Sequence, residues 1–319
     1  MKKLLISMLA VATLASCAKE ETLSFDKGEA IQFGNAFVDN ATRATDPSYN
    51  TTTKPLTSFM VYGAVEGVNI FDGDTVEKGS ADYGVAWTIK NAPTQYWIEG
   101  ASYTFDAVVD ATSVTPDSAT GLPTSLNYNT NTQKDMLHNR FTTVGKPTEN
   151  NGLVAFTFTH LLSKVKFTVT NNTASTANRY RYTVSDIKIT NANLVGDYAI
   201  PGGTWSGVTT DSYAIPDMTI ASNSTVDCAA EVLLIPGSTV GMTFNVNVQM
   251  LDGTTWKTIK TYPKEYANVK ALVANNAYNF TVTVGLNNDI QFTATQSPTW
   301  DGNDATSGIQ DGYNETPLS

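Results

Sequence analysis

In short runs along the chain apolar and polar residues alternate one by one. In Phe156-Thr-Phe-Thr-His160 the two phenylalanines share a side, and Val165, Phe167 and Val169 repeat the beat. Successive side chains leave opposite faces of a strand, so this alternation predicts half-buried β-strands. The phase breaks at His160-Leu-Leu-Ser163, which predicts that one strand closes a domain there and another opens the next almost without a linker.

Short runs of the same kind recur on both sides. Ahead of the break they include Ile31 to Val38, Phe59 to Tyr62, Trp87, Tyr96-Trp97 and Tyr103 to Val108. After it come Tyr180 to Val184, Ile187 to Ile189, Ala230 to Ile235, Phe244 to Met250, Trp256 to Ile259 and Tyr278 to Val284. Gly, Asn, Asp and Pro clusters separate the runs, and helical periodicity is hard to find, so the pattern predicts an all-β sandwich or barrel.

Composition narrows this further. A chain of 319 residues with 41% apolar and 16% charged residues can bury the cores of two ordinary domains. The net charge of −10 argues against nucleic acid, which needs a basic face. Two cysteines, Cys17 and Cys228, provide no disulfide framework once the first is used otherwise. Cys228 reads as a buried, inert thiol, and the two histidines are too few for a histidine-based zinc site.

The N-terminus carries an address. Lys2-Lys3, the apolar run Leu4 to Leu14 and Ala15-Ser16-Cys17 form a lipoprotein signal peptide over residues 1–16, too short to remain as a membrane span. Cys17 is the lipidation site, and several acyl chains on one residue (palmitate among them) suffice for stable anchoring. Ala18-Lys19-Glu20-Glu21 resembles a signal that sends lipoproteins to the outer face of the outer membrane.

Motifs for catalysis are missing. There is no Gly-x-Ser-x-Gly, P-loop, His-Glu-x-x-His or Cys-x-x-Cys. Asp301-Gly-Asn303-Asp304 suggests a calcium loop, but the required glutamate is a glycine, so it reads as a turn. Asp106 and Asp110 read as solvated surface carboxylates, and His160 as a structural imidazole capping the domain junction. The chain is predicted to be no enzyme and to hold neither cofactor nor metal.

Several of these elements, in order, resemble the fimbrillin-like (type V pilin) family of surface fibre subunits. They are Phe-x-Phe-x-His-Leu-Leu-Ser-Lys-Val from Phe156, the stretch Trp97-Ile-Glu-Gly-Ala-Ser-Tyr103-Thr-Phe105, Asp135-Met-Leu-His138, Leu233-Leu-Ile-Pro236-Gly237 and Asn275-Asn-Ala-Tyr278-Asn-Phe280-Thr-Val282. The last departs from the family, which has glycine where two asparagines stand; asparagine also tolerates a left-handed backbone, so the turn is expected to survive.

The resemblance implies two tandem transthyretin-like β-sandwiches, over 44–162 and 163–319, preceded by a lipidated propeptide, 17–43. It implies cleavage between Arg43 and Ala44, in Thr42-Arg43-Ala44, by an arginine-specific protease of the gingipain type. The cut would remove the lipid and the first strand with Ile31, Phe33 and Phe37. Residues 1–43 hold five basic and five acidic side chains, so the charge of −10 stays on the mature piece.

Ile31-Gln-Phe33 recurs as Ile290-Gln-Phe292, which is either the last strand of the second sandwich or, under the resemblance, a donor strand near 287–300. With Ile290, Phe292, Ala294 and Trp300 as its apolar residues, it would fill the vacated groove of a neighbouring subunit. Such a contact is head-to-tail and builds an open fibre. The partners implied are other fimbrial subunits, the protease and, before processing, the outer membrane. The other reading is a surface lipoprotein that binds glycans on a platform of Trp87, Tyr96 and Trp97. Asp74-Thr75-Val76 and Asp117-Ser118-Ala119 resemble bacterial O-glycosylation triplets.

Overall fold

The structure, a computed structural model, describes residues 28–38, 56–79, 84–171, 180–220, 225–227, 231–284, 290–298 and 300. Strands make up 68% of the described residues and helix 3%, so the fold is all-β, as the alternation predicts. Cys17, Arg43, Ala44, Cys228 and the segment from Asp301 onward lie outside them.

The first half contributes β1 (Phe33–Val38), β2 (Ser58–Val65), β3 (Val68–Glu77), β4 (Thr88–Ile89), β5 (Ser102–Val109), β6 (Ser113–Pro116), β7 (Pro123–Asn129), β8 (Leu137–Val144) and β9 (Val154–His160). Seven of them form one sheet in the order β1-β9-β8-β5-β2-β3-β4. Alternate residues of β9 and β5 turn inward, so Phe156, Phe158, Tyr103 and Phe105 meet Phe33, Phe59 and Phe71 in one aromatic core. Gly63 is small because that core presses on it: a Cβ there would lie 2.8 Å from the Phe71 ring and 2.9 Å from the Phe105 ring.

The second half adds β10 (Ser163–Asn171), β11 (Tyr180–Ala199), β12 (Trp205–Ala214), β13 (Met218–Ile220), β14 (Thr225–Asp227), β15 (Val232–Leu234), β16 (Thr239–Asp252), β17 (Thr255–Ala271), β18 (Ala277–Val284) and β19 (Ile290–Ser297). One sheet runs β14-β10-β18-β19 with β15 beside β10; the other runs β17-β16-β11-β7-β6 with β12 and β13 on β11. Phe167, Phe280 and Phe292 of the first pack with Val184, Phe244 and Val246 of the second, which is sandwich packing.

Three details refine the sequence reading. The runs at Tyr180 and Ile187 are one strand, β11, interrupted by a bulge between Ser185 and Lys188 where Asp186 takes φ 51°. The hairpin β6–β7 pairs with β11, Val195 opposite Asn129, so residues 113–129 build the sheet of the half that follows. At the turn before β18, Asn275 adopts φ 61°, the left-handed conformation expected where the family has glycine.

The halves also share a corner. The Tyr103 hydroxyl accepts the Ile98 amide at 2.7 Å and donates to the Tyr96 carbonyl at 3.5 Å. The Tyr278 hydroxyl accepts the Val273 amide at 2.8 Å and donates to the Ala271 carbonyl at 3.2 Å. Between amide and hydroxyl sits one left-handed residue at the same step, Gly100 in the first corner and Asn275 in the second. Where the halves meet, Tyr62, Val108, Leu126, Tyr128, Leu162 and Ile235 form a third apolar cluster, which also contains Trp300.

Candidate functional site

The site has two parts, the first strand in its slot and the last strand in its own sheet. Residues 29–38 are hydrogen-bonded on both edges. On one side β1 runs parallel to β9, with Phe33 opposite Val154 and Val38 opposite Phe158, and the Val154 amide donates to the Gln32 carbonyl at 2.9 Å. On the other side the Trp87 amide donates to the Phe33 carbonyl at 2.8 Å, the Ile31 amide to Gln95 at 2.8 Å and the Trp97 amide to Glu29 at 2.9 Å. The strand is therefore inserted between two partners and seals the sheet.

Its side chains fill the slot. Ile31, Phe33, Ala36, Phe37 and Val38 are buried. Phe33 is the hub: its ring centroid lies 5.3 Å from Phe71, 5.6 Å from Phe105, 6.0 Å from Phe156 and 6.4 Å from Phe59. A Cβ on Gly34 would lie 2.9 Å from Leu153 and 3.0 Å from the Val85 carbonyl, so the slot admits only a small residue there. Burial of each large apolar side chain stabilises by about 1.5–3 kcal/mol. Lys146 forms an ion pair with Glu29 at the entrance to the slot.

β19 is the outermost strand of its sheet and pairs antiparallel with β18, Phe292 opposite Val282. Ile290, Phe292 and Ala294 point into the core of their own half, where Phe292 lies 4.6 Å from Tyr266 and 6.1 Å from Phe280. The two Ile-Gln-Phe tripeptides present the same pattern, isoleucine and phenylalanine inward and glutamine outward. Each phenylalanine meets the phenylalanine of a Tyr-x-Phe strand edge-on, Phe33 with Phe105 and Phe292 with Phe280. Trp300 lies beyond the strand, in the turn that follows, and is buried at the junction of the halves.

The alternative of a sugar platform falls away, and one expectation is corrected. Trp87 and Trp97 are buried in the first core, 6% and 8% exposed, and Tyr96 alone of the three is exposed, so no aromatic platform for sugars forms. They face inward because the segment that carries them lines the β1 slot. Asp106 is fully buried, not solvated: Arg140 donates to it through Nε at 2.9 Å and a terminal nitrogen at 2.7 Å, and His138 Nε2 lies 2.8 Å away. Asp106 stands directly across from Arg140 in the β5–β8 ladder, which makes burial of the carboxylate tolerable. Asp110 is a surface residue beside Lys134.

The pairing Asp106–His138–Arg140 escapes a reading of local sequence because its members come from two strands. Its signal is a pair of side chains two apart, His138 and Arg140, on a later strand that pairs with the strand of an isolated acidic residue. His160 does cap the junction: it is 2% exposed, its Nδ1 lies 3.0 Å from Asp135 Oδ1, and its ring stacks on Trp300 at 3.9 Å. In the triplets resembling glycosylation sites, Thr75 is half-buried on β3, while Ser118 is exposed in the β6–β7 turn shaped by Asp117. Hydrogen bonds from Thr120 and Ala119 hold the Asp117 carboxyl below the usual range. Among the described residues no side-chain group could hold a metal ion, and no helix is long and apolar enough to cross a membrane.

Comparison with known proteins accords with this architecture. No curated protein matches the sequence. A fimbrial protein from Bacteroides vulgatus, 12% identical, superposes with a TM-score of 0.54, covering 85% of this chain and 99% of that one. A candidate cell adhesion protein from Bacteroides uniformis, 18% identical, has the same score over 85% of this chain and 98% of its own. At such identities the likeness concerns the fold alone. The sequence model of the fimbrillin-like family, in contrast, matches residues 42–298, most of the chain. The chain belongs to the fimbrillin-like family, whose members are structural rather than catalytic.

Proposed function

We propose that the chain is the precursor of a structural subunit of a cell-surface fimbria, with a role in adhesion. In this reading Cys17 carries lipid that delivers the precursor to the outer membrane, and β1 keeps it monomeric. An arginine-specific protease cuts between Arg43 and Ala44 and frees the first strand. The β19 segment of a neighbouring subunit, with Ile290, Phe292, Ala294 and Trp300, then enters the emptied slot and builds the fibre head to tail.

One observation carries this reading. The segment 29–38 is hydrogen-bonded to β9 on one side and to residues 87–97 on the other, β1 supplies the hub of the first core, and the segment precedes the proposed cut site in the chain. A cut there would leave an unpaired edge on β9 and an aromatic-lined slot, a template for another strand. Ile-Gln-Phe at 290–292 has the side-chain order the slot holds. The strand must first leave its own core, so exchange is an even trade of like contacts rather than a gain of new ones.

The test is to incubate the folded Ala18–Ser319 precursor with an arginine-specific protease and run it unboiled on a denaturing gel. A new N-terminus at Ala44 together with a detergent-resistant ladder is expected. An Arg43 bond that resists cleavage in the folded protein would sink the reading.

A further inference from the structure

The slot and the last strand are joined by β9. Residues 154–158 of β9 pair with β1, whereas β8 pairs only with Thr159 and His160 at its far end. Most of the main-chain support of β9 therefore comes from the strand that processing would remove. The final residue of β9 is His160, whose imidazole lies 3.9 Å from the Trp300 ring at an interplanar angle of 11°. Asp135 fixes that imidazole, 2.9 Å from Nδ1, and the Lys164 ammonium at the start of β10 sits 5.3 Å from the Trp300 centroid. Trp300 is 6% exposed and follows the end of β19 by three residues.

We propose that the His160–Trp300 stack is a latch that holds the last strand in its own sheet for as long as β1 occupies its slot. β1 keeps β9 in register, β9 presents the His160 ring, and that ring, with Lys164, pins Trp300 and the strand behind it. Loss of β1 leaves β9 tethered only through Thr159 and His160, so that two β8 pairs and Asp135 hold the imidazole against Trp300, and the C-terminal end of β19 is held less firmly. His160 and Trp300 are positioning residues: they act through strand order rather than by touching the slot. The coupling needs a physical element that both sites bias, and β9 is that element. The role of this release in assembly rests on the strand-exchange reading; the latch does not.

Hydrogen exchange of the full-length precursor tests it. Trp300→Ala is expected to raise exchange of amides 290–297 by about tenfold or more, since an aromatic stack and a buried ring are lost. Trp300→Phe should restore most of the protection, and β16–β17 should be unchanged in both. Phe33→Leu, which loosens β1 without emptying the first core, should raise exchange at 290–297 by several-fold although Phe33 belongs to the other core. In the Trp300→Ala background it should add nothing further there, the signature of a shared path. An unresponsive β19 in Phe33→Leu, or additive effects in the double variant, overturns the latch. Ladder formation after cleavage reports separately on strand exchange: polymers without coupling sink the latch alone, and coupling without polymers sinks the exchange alone.

Discussion

Phe33 stacks on Phe156 across the seam between β1 and β9, ring centroids 6.0 Å apart and 15° from parallel. The residue that begins the first strand is thus packed into the middle of the first core. A strand contributing such a residue is part of the folded core, and removing it would leave a hole of matching shape. Phe33→Ala should lower precursor stability by about 3–5 kcal/mol, the usual cost of emptying a buried phenylalanine site. Urea unfolding of the uncut protein checks this, and a change under about 1 kcal/mol would mean that β1 is only loosely seated.

The paired corners predict paired losses. Tyr103→Phe and Tyr278→Phe each leave a backbone amide, Ile98 or Val273, without its acceptor. Each should cost about 1–2 kcal/mol. Near-equal shifts in thermal midpoint are expected, and a large effect at one site with none at the other would deny that the two corners are equivalent.

The buried carboxylate offers a sharper contrast. Asp106→Ala strands Arg140 and His138 at a site where the carboxylate itself is fully buried, and should cost about 3 kcal/mol. Asp110→Ala, four residues along the chain, removes an exposed carboxylate 3.6 Å from Lys134 and should change stability by no more than about 0.5 kcal/mol. Chemical denaturation of both variants side by side decides the matter; equal effects would contradict the assignment.

Alkali should unfold the protein through its buried phenols. Burial raises the pKa of Tyr128, and less strongly those of Tyr62, Tyr182 and Tyr278, whereas tyrosines of the unfolded chain titrate near about 10. The folded state then holds protons the unfolded chain releases. Their contribution is complete below about pH 10 and falls as the pH rises above it, by about 1.4 kcal/mol per pH unit for a group like Tyr128. Unfolding free energies at stepped pH, followed by tyrosinate absorbance, should show this slope, and Tyr128→Phe should flatten it. A stability that stays level above pH 10 would be inconsistent with the burial described.

How far the chain discloses its fold follows from the range of each signal. The strands flanking His160-Leu-Leu-Ser163 are legible because their period of two is written in adjacent residues, and the left-handed turn at Asn275 because asparagine is one of few residues suited to it. The break inside β11 is legible too, but a bulge and a strand end look alike in one dimension. What is not legible depends on partners far away in sequence. Asp106 needs Arg140 to be seen as buried, and Trp87 and Trp97 need the β1 slot. Trp300 belongs to the apolar pattern around β19, yet only the folded chain shows that its partner is the imidazole ending β9. The likeness of the corners at Tyr103 and Tyr278 could have been found, since both share the spacing left-handed residue, two residues, Tyr-x-Phe.

In the proposed fibre the last strand of one subunit takes the place of the first strand in the next. The direct measurement replaces Phe292 with a photoreactive phenylalanine analogue and maps its crosslinks before and after cleavage at Arg43. In the uncut precursor the crosslinks should stay within one chain, at Tyr266 and Phe244, which surround Phe292 in its own core. In the polymer they should join two chains and fall on Phe59, Phe105 and Phe156, the residues now around Phe33. Polymers in which position 292 still crosslinks only to Tyr266 and Phe244 of its own chain would contradict the claim.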